Sequence, residues 1–420
     1  MDIPEISDDL AAKQDTAQRV APRNLDDLLA PSSAESFLGS QFGKTFAIFP
    51  GEPGRFSALF PWSQLNRVLR QHRFDFPRLR LVMLGKEVPA PEFLSYESSS
   101  RRRGPSVPRI NQLGLTRRLQ LGATLILDGV HEVYEPLSTL TASLESLFRV
   151  HIQANLYAGW RTSPGFNVHW DDHDVIIVQV SGQKQWKVYG MTRPFPLERD
   201  VEPNIGPPET PAWEGVLNDG DALYIPRGWW HVASPMDGPT LHLTIGILNS
   251  TGADLLSWFT ERLRANDDVR RDLPRFGQQS ERAAYMERLC QTFKEECKPS
   301  ILDEFFAHRD ACISGRLQFG FPWSATEQVL PESGFLKWTS PIPASIESSI
   351  GSTDFSIACA GRKWRFAEGA RPILERLLDR IPHAISELQS LGTDPDLTLI
   401  FLRELVSHGL LSVAESTMEQ

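Results

Sequence analysis

Between His151 and about Leu248 the chain reads as strands. In RVHIQANLY the apolar Val150, Ile152, Ala154 and Leu156 alternate with His151, Gln153, Asn155 and Tyr157. Such alternation predicts a strand with one apolar face and one hydrogen-bonding face. VIIVQV, QKQWKVYG, DALYIP and TLHLTIGIL are further short strands, and NDGD (Asn218–Asp221) is a tight turn. Short strands punctuated by Gly and Pro predict a β-sandwich or barrel.

On either side the period becomes helical. Leu137, Leu140, Leu144, Leu147 and Phe148 form one stripe in PLSTLTASLESLFRV. Ser32 to Glu35 fits a capping box, and PWSQLNRVLRQH predicts a helix after Pro61. Beyond Ala253, DLLSWFTERLRA and AAYMERLCQTFKEE are helical. From Leu336 a hairpin, FSIACAGRKWRFA, joins two helices ending in LIFLRELVSHGLLSV, the outline of a winged-helix-like domain over 336–420. The mixed polar stretch 1–30 is expected to be a flexible N-terminal arm. Glu97–Arg109, with three successive arginines, is expected to be a solvated basic loop.

Composition narrows the class. At 420 residues, 41% hydrophobic and 23% charged, the chain is globular and long enough for more than one domain. A net charge of −10 disfavours non-specific nucleic-acid binding and suits a basic partner. The few basic residues of LRELVSHG likewise argue against direct nucleic-acid binding by the C-terminal domain. No run of about 18 apolar residues predicts a membrane span, and the acidic start MDIPEISDDLAAKQD does not resemble a secretory signal. Four late cysteines without C-x-x-C spacing make a cytoplasmic location the expectation.

The candidate chemistry lies in GFNVHWDDHDVII (165–177). On a strand His169 and Asp171 would point the same way and offer an imidazole and a carboxylate to one ion. A third ligand is then required, and His231, after the turn and corner of GDALYIPRGWWH, is the candidate. Two histidines and one carboxylate suit a non-haem Fe(II) oxygenase, while zinc hydrolysis is possible with the same set. Asp172 and His173 are assigned to the rim or to the layer of groups behind the ligands. Lys184, in GQKQWKVYG, can pair with the distal carboxylate of 2-oxoglutarate. Asn155, Tyr157 and Thr244 are placed to hydrogen-bond the same carboxylate.

Together these residues resemble the JmjC/cupin-type 2-oxoglutarate oxygenases, closest to the ribosomal oxygenase branch. The motifs are H-x-D (His169–Asp171), G-x-K-x-W (Gly182–Trp186), LYIPRGWWH ending in His231, N-x-Y (Asn155, Tyr157) and LHLT (Leu241–Thr244). The resemblance implies a mixed α+β fold with a double-stranded β-helix (jelly-roll/cupin) core and flanking helices. It implies an oxygenase domain over 31–250, a helical dimerisation region over 251–335, the winged-helix-like domain, and a homodimer. It implies Fe(II), 2-oxoglutarate and O₂, with His169, Asp171 and His231 as metal ligands and catalytic residues. By the same resemblance Lys184, Asn155, Tyr157 and Thr244 bind the cosubstrate. Gly246 departs from the pattern, standing where relatives often carry a small hydroxyl residue. The Pro-rich Pro194–Trp213 has no assignable signature.

The expected activity is hydroxylation of a protein or peptide side chain, on a basic ribosomal protein or a ribosomally made peptide, with succinate and CO₂ as coproducts. The alternatives are N-methyl-lysine demethylation and a non-catalytic cupin-like binding role.

Overall fold

The computed structural model describes residues 20–97, 107–162, 165–197, 205–236, 238–313, 321–325, 330–331, 333–342, 346–348, 353–359 and 361–414, with isolated positions between them. The chain forms two compact units. One takes in the chain up to Leu144 together with Ile152–Leu248; the other comprises Glu145–His151 and Asn249–Gln420.

The first unit is built on two antiparallel sheets. Its strands are β1 (Ala47–Phe49), β2 (Leu79–Met83), β3 (Lys86–Glu87), β4 (Thr124–Leu127), β5 (Ile152–Gly159) and β6 (Asp174–Ser181). They continue as β7 (Lys184–Val188), β8 (Trp213–Leu217), β9 (Ala222–Ile225), β10 (His231–Pro235) and β11 (Thr240–Ile247). The large sheet has the order β1-β9-β6-β11-β5-β4-β2-β3 and the small one β8-β7-β10. Val175, Ile177, Trp186, Val188, Leu217 and Leu223 form one apolar cluster drawn from both sheets, so the sheets pack face to face. This is the large antiparallel core that a jelly roll requires.

The register follows the predicted alternation. On β5, Ile152, Ala154, Leu156 and Ala158 are fully buried, while Gln153, Asn155 and Tyr157 stand opposite Gly246, Thr244 and His242 of β11. One polar row thus crosses the middle of the sheet.

The helix Trp62–Gln71 forms as expected. In the helix Glu135–Phe148, Leu137, Leu140 and Leu144 are buried, but Leu147 is exposed and leaves the stripe. Two N-terminal expectations are corrected. The expected arm is packed from Asn24 onward: Asn24 caps the helix Leu25–Leu29, accepting the Asp27 N–H at 2.8 Å, and Leu25, Leu28 and Leu29 are buried. The next helix, Ala34–Ser40, is capped by Ser33, which accepts the Ser36 N–H, rather than by Ser32. The basic loop closes a hairpin between Leu94–Glu97 and Val107–Ile110, and its arginines 101–103 lie outside the described residues.

In the second unit the helices Gly252–Leu263, Gln279–Glu296 and Ile301–Cys312 come first. Phe335–Trp338 then pairs with His383–Ala384 and Leu411–Ala414, and Asp354–Cys359 pairs with Arg362–Ala367. Three helices follow that hairpin, not two: Arg371–Leu377, Ile385–Leu391 and Pro395–Ser407. The last ends at Ser407, and LSVA becomes a strand because Leu411 pairs with Trp338 in a shared core.

Candidate metal and cosubstrate site

The H-x-D segment is not a strand. His169 makes one isolated β-bridge to His231, and β6 begins only at Asp174. The bridge is doubly bonded, His231 N–H to His169 O at 2.7 Å and His169 N–H to His231 O at 3.1 Å. Gly228 N–H donates to Asp171 O at 2.9 Å. The Pro-Arg-Gly corner is fixed in turn by Asp174, whose Oδ1 accepts the Arg227 N–H at 2.7 Å. Gly228 has φ +82°, and a Cβ there would meet Pro196 Cδ at 2.5 Å, so both backbone and space demand glycine.

This stitching brings the three side chains together. Their ligand atoms all lie within 4.8 Å of one another, with His231 Nε2 3.5 Å and His169 Nε2 4.0 Å from the Asp171 carboxylate. Nδ1 of His169 lies 2.9 Å from Asn167 O, and Nδ1 of His231 lies 3.0 Å from Trp229 O. Each Nδ1–H therefore donates to a carbonyl, leaving Nε2 as the ring nitrogen turned toward Asp171. Burial, with His169 close by, holds His231 down to about 4, so its imidazole is neutral near pH 7. Two imidazoles and one carboxylate, gathered this closely, fit a divalent iron.

A cavity of about 260 Å³ opens beside this triad. Lys184, Tyr157 and Thr244 line it, as the sequence suggested, and Val175, Ile177 and Trp186 supply apolar wall. Lys184 is 7% exposed, and among the described residues no carboxylate pairs with it. Its Nζ lies 3.4 Å from His242 Nδ1 and 5.7 Å from the Trp186 ring centroid. Burial alone holds the amine down to about 7.

Asn155 does not line the cavity. Its Oδ1 accepts the Gly129 N–H at 2.9 Å, holding the turn after β4 against β5. Strand parity gave its face but not that partner. His173 bonds Asp172 through Nδ1 at 2.9 Å, and its ring lies where a Cβ on Gly246 would come within 3.0 Å. Glycine at 246 thus makes room for an imidazole.

Sequence reasoning missed His242, Arg80, Thr124 and Phe166 in the lining. His242 is buried and stacks on Tyr157, with ring centroids 4.9 Å apart and planes 8° from parallel. Its signal was available, because it shares strand parity with Thr244. Arg80 comes from β2, far outside the motifs.

The JmjC domain family matches residues 131–255, a span that contains the triad and Lys184. Residues 131–255 are thus similar to a JmjC domain. Among curated proteins the chain is similar to the bifunctional lysine-specific demethylase and histidyl-hydroxylase NO66 of Drosophila pseudoobscura pseudoobscura, 28% identical over 230 residues, covering 54% of this chain and 23% of the fly protein. It is similar to ribosomal oxygenase 2 of Rattus norvegicus, 40% identical over 119 residues, covering 27% of this chain and 25% of the rat protein. The chain thus spans less than half the length of these curated relatives. Its fold is that of YcfD, a ribosomal oxygenase from Escherichia coli, with TM-score 0.54 and 19% identity over 91% of this chain and 98% of YcfD. No helix among the described residues is long and apolar enough to cross a membrane.

Proposed function

We propose that this protein is an Fe(II)- and 2-oxoglutarate-dependent oxygenase that hydroxylates a side chain of a protein or peptide, with a basic ribosomal protein as substrate. One observation carries the reading: the buried amine of Lys184, unpaired with any carboxylate among the described residues, lines the same cavity as His169, Asp171 and His231. A buried cation without an anion is costly, and a dicarboxylate that also reaches the metal resolves that cost. YcfD has been solved with cobalt and 2-oxoglutarate, and the named activities of the fly and rat proteins support a protein substrate.

Fe(II), with 2-oxoglutarate and O₂, supplies when bound the oxidising power to hydroxylate a C–H bond, with succinate and CO₂ released. The chain's own residues do the positioning. His169, Asp171 and His231 hold the ion, and the carbonyls of Asn167 and Trp229 keep the two imidazoles in the ligating tautomer. Lys184 donates to the distal carboxylate of 2-oxoglutarate, with Tyr157 and Thr244 beside it. Val175, Ile177 and Trp186 keep that end dry, which strengthens the ion pair.

The complete His/Asp/His set argues against a purely binding role. The second unit is a helical dimerisation region followed by a winged-helix-like domain, and the active form is a cytoplasmic homodimer. Supporting the dimer, Leu256, Phe276, Met286, Leu302 and Phe306 of the helical part are exposed.

The test is mass spectrometry of ribosomal proteins from the host with and without this gene. A one-oxygen gain that disappears with His169→Ala supports the reading. Extra methyl-lysine in the deletion strain replaces hydroxylation by demethylation, and neither change removes the ribosomal substrate.

A further inference from the structure

The hairpin of β2 and β3 closes through a two-residue turn, Leu84–Gly85, with Met83 paired to Lys86. Both turn residues have positive φ, +52° at Leu84 and +73° at Gly85, the geometry of a type I′ turn. Glycine suits its position. Leucine does not suit the first one, where asparagine or glycine relieves the crowding between Cβ and carbonyl. Leu84 is nevertheless 60% exposed, so no burial in the chain's own core offsets that strain. A bulky apolar side chain held in an unfavourable conformation and turned to water points to a contact outside the chain.

This tip is joined to the cavity at both ends of the hairpin. Gly85 N–H donates to Gly165 O at 2.9 Å, and a Cβ on Gly85 would fall 2.6 Å from the Asn167 amide. Gly165 lines the cavity, and Asn167 supplies the carbonyl that orients His169. At the hairpin's start, Arg80 lines the cavity as well. Its guanidinium is anchored by Asp128 at 2.8 Å and Glu87 at 3.5 Å. Registers place His242, Tyr157, Ile126 and Arg80 in one row across four strands. β3 ends the large sheet; among the described residues no strand lies beyond it, and Lys86 and Glu87 are exposed.

We propose that this hairpin is the docking rim for the extended peptide segment carrying the target side chain. Leu84 is the apolar anchor, the outer edge of β3 offers backbone pairing, and Arg80 donates to a carbonyl of the segment where it enters the cavity. The assignment rests on the oxygenase reading above and names the surface that reads the substrate.

The experiment uses the full chain with Fe(II), 2-oxoglutarate and ribosomes purified from a strain lacking this gene. Leu84→Asn relieves the turn, so its unfolding temperature should equal or exceed that of the wild type. Its KM for the ribosomal probe should nonetheless rise about fivefold or more with kcat unchanged. Leu84→Met, which keeps an apolar side chain, should restore KM. An unchanged KM in Leu84→Asn overturns the hairpin assignment alone. A wild type that makes succinate but adds no oxygen to the ribosomal probe overturns the ribosomal reading and the docking rim with it.

Discussion

Lys184 and His242 are in direct contact: the amine nitrogen lies 3.4 Å from Nδ1 of the imidazole, and both groups are buried. Desolvation, with the lysine beside it, holds His242 well below its ordinary value, so the imidazole accepts from Lys184 rather than repelling it. His242 is in turn fixed by stacking on Tyr157. The lysine is therefore aimed by a neutral neighbour, and its charge is left for a ligand.

Removing that charge should act on the cosubstrate. Lys184→Met should weaken 2-oxoglutarate binding to the metal-loaded protein by about tenfold or more, the loss expected for a hydrogen bond between charged groups. Calorimetric titration measures it, and an unchanged affinity excludes the lysine from that role.

The same amine sets a pH dependence. Lys184 is held at about 7 in the free protein, down from 10.5. A bound carboxylate favours the charged amine and raises its pKa in the complex. The complex thus binds more protons than the free protein between the two values. Affinity is full below about pH 7 and falls as pH rises, by at most about tenfold per unit, until the pKa of the complex is reached. Lys184→Arg should flatten this profile, and an affinity that grows with pH contradicts it.

Asn155 should behave in the opposite way. Its Oδ1 holds the Gly129 N–H and does not line the cavity. Asn155→Ala should cost about 1 kcal/mol of stability through the lost hydrogen bond and leave 2-oxoglutarate affinity within about twofold. Denaturant unfolding and titration of the one variant separate the two effects.

Gly246 and His173 should be coupled. A Cβ at 246 would sit 3.0 Å from the imidazole, so Gly246→Ser should destabilise the wild type by about 1–3 kcal/mol through overpacking. In a His173→Ala background the penalty should vanish. Equal penalties in a double-mutant cycle would remove the steric explanation.

Much of this site could be read from the chain alone. Alternation fixed the faces of β5 and β11, and that parity brought Tyr157 and Thr244 to the cavity. The three metal-binding side chains were legible as residue types in a suitable order. Their geometry was not, because His169 and Asp171 are held by a single bridge and a bonded corner rather than by a regular strand. Asn155 shows a related limit: parity says which way a side chain points, but not that a turn contributed by residue 129 will claim it. Arg80 was hidden for the same reason, since it reaches the cavity through pairing of β2 with β4. At the C-terminus, Leu411 and Val413 continue an apolar run that suits a helix locally, and only pairing with Trp338 and Leu336 makes them a strand.

The most direct test of the central claim is succinate formation by the purified chain supplied with Fe(II), 2-oxoglutarate and O₂. The wild type should release succinate only when iron is present. Asp171→Ala and His231→Ala should abolish that release while folding normally, as judged by circular dichroism. Succinate release from either variant at the wild-type rate, or none from the wild type loaded with iron, would contradict the assignment of His169, Asp171 and His231 as the metal site of an oxygenase.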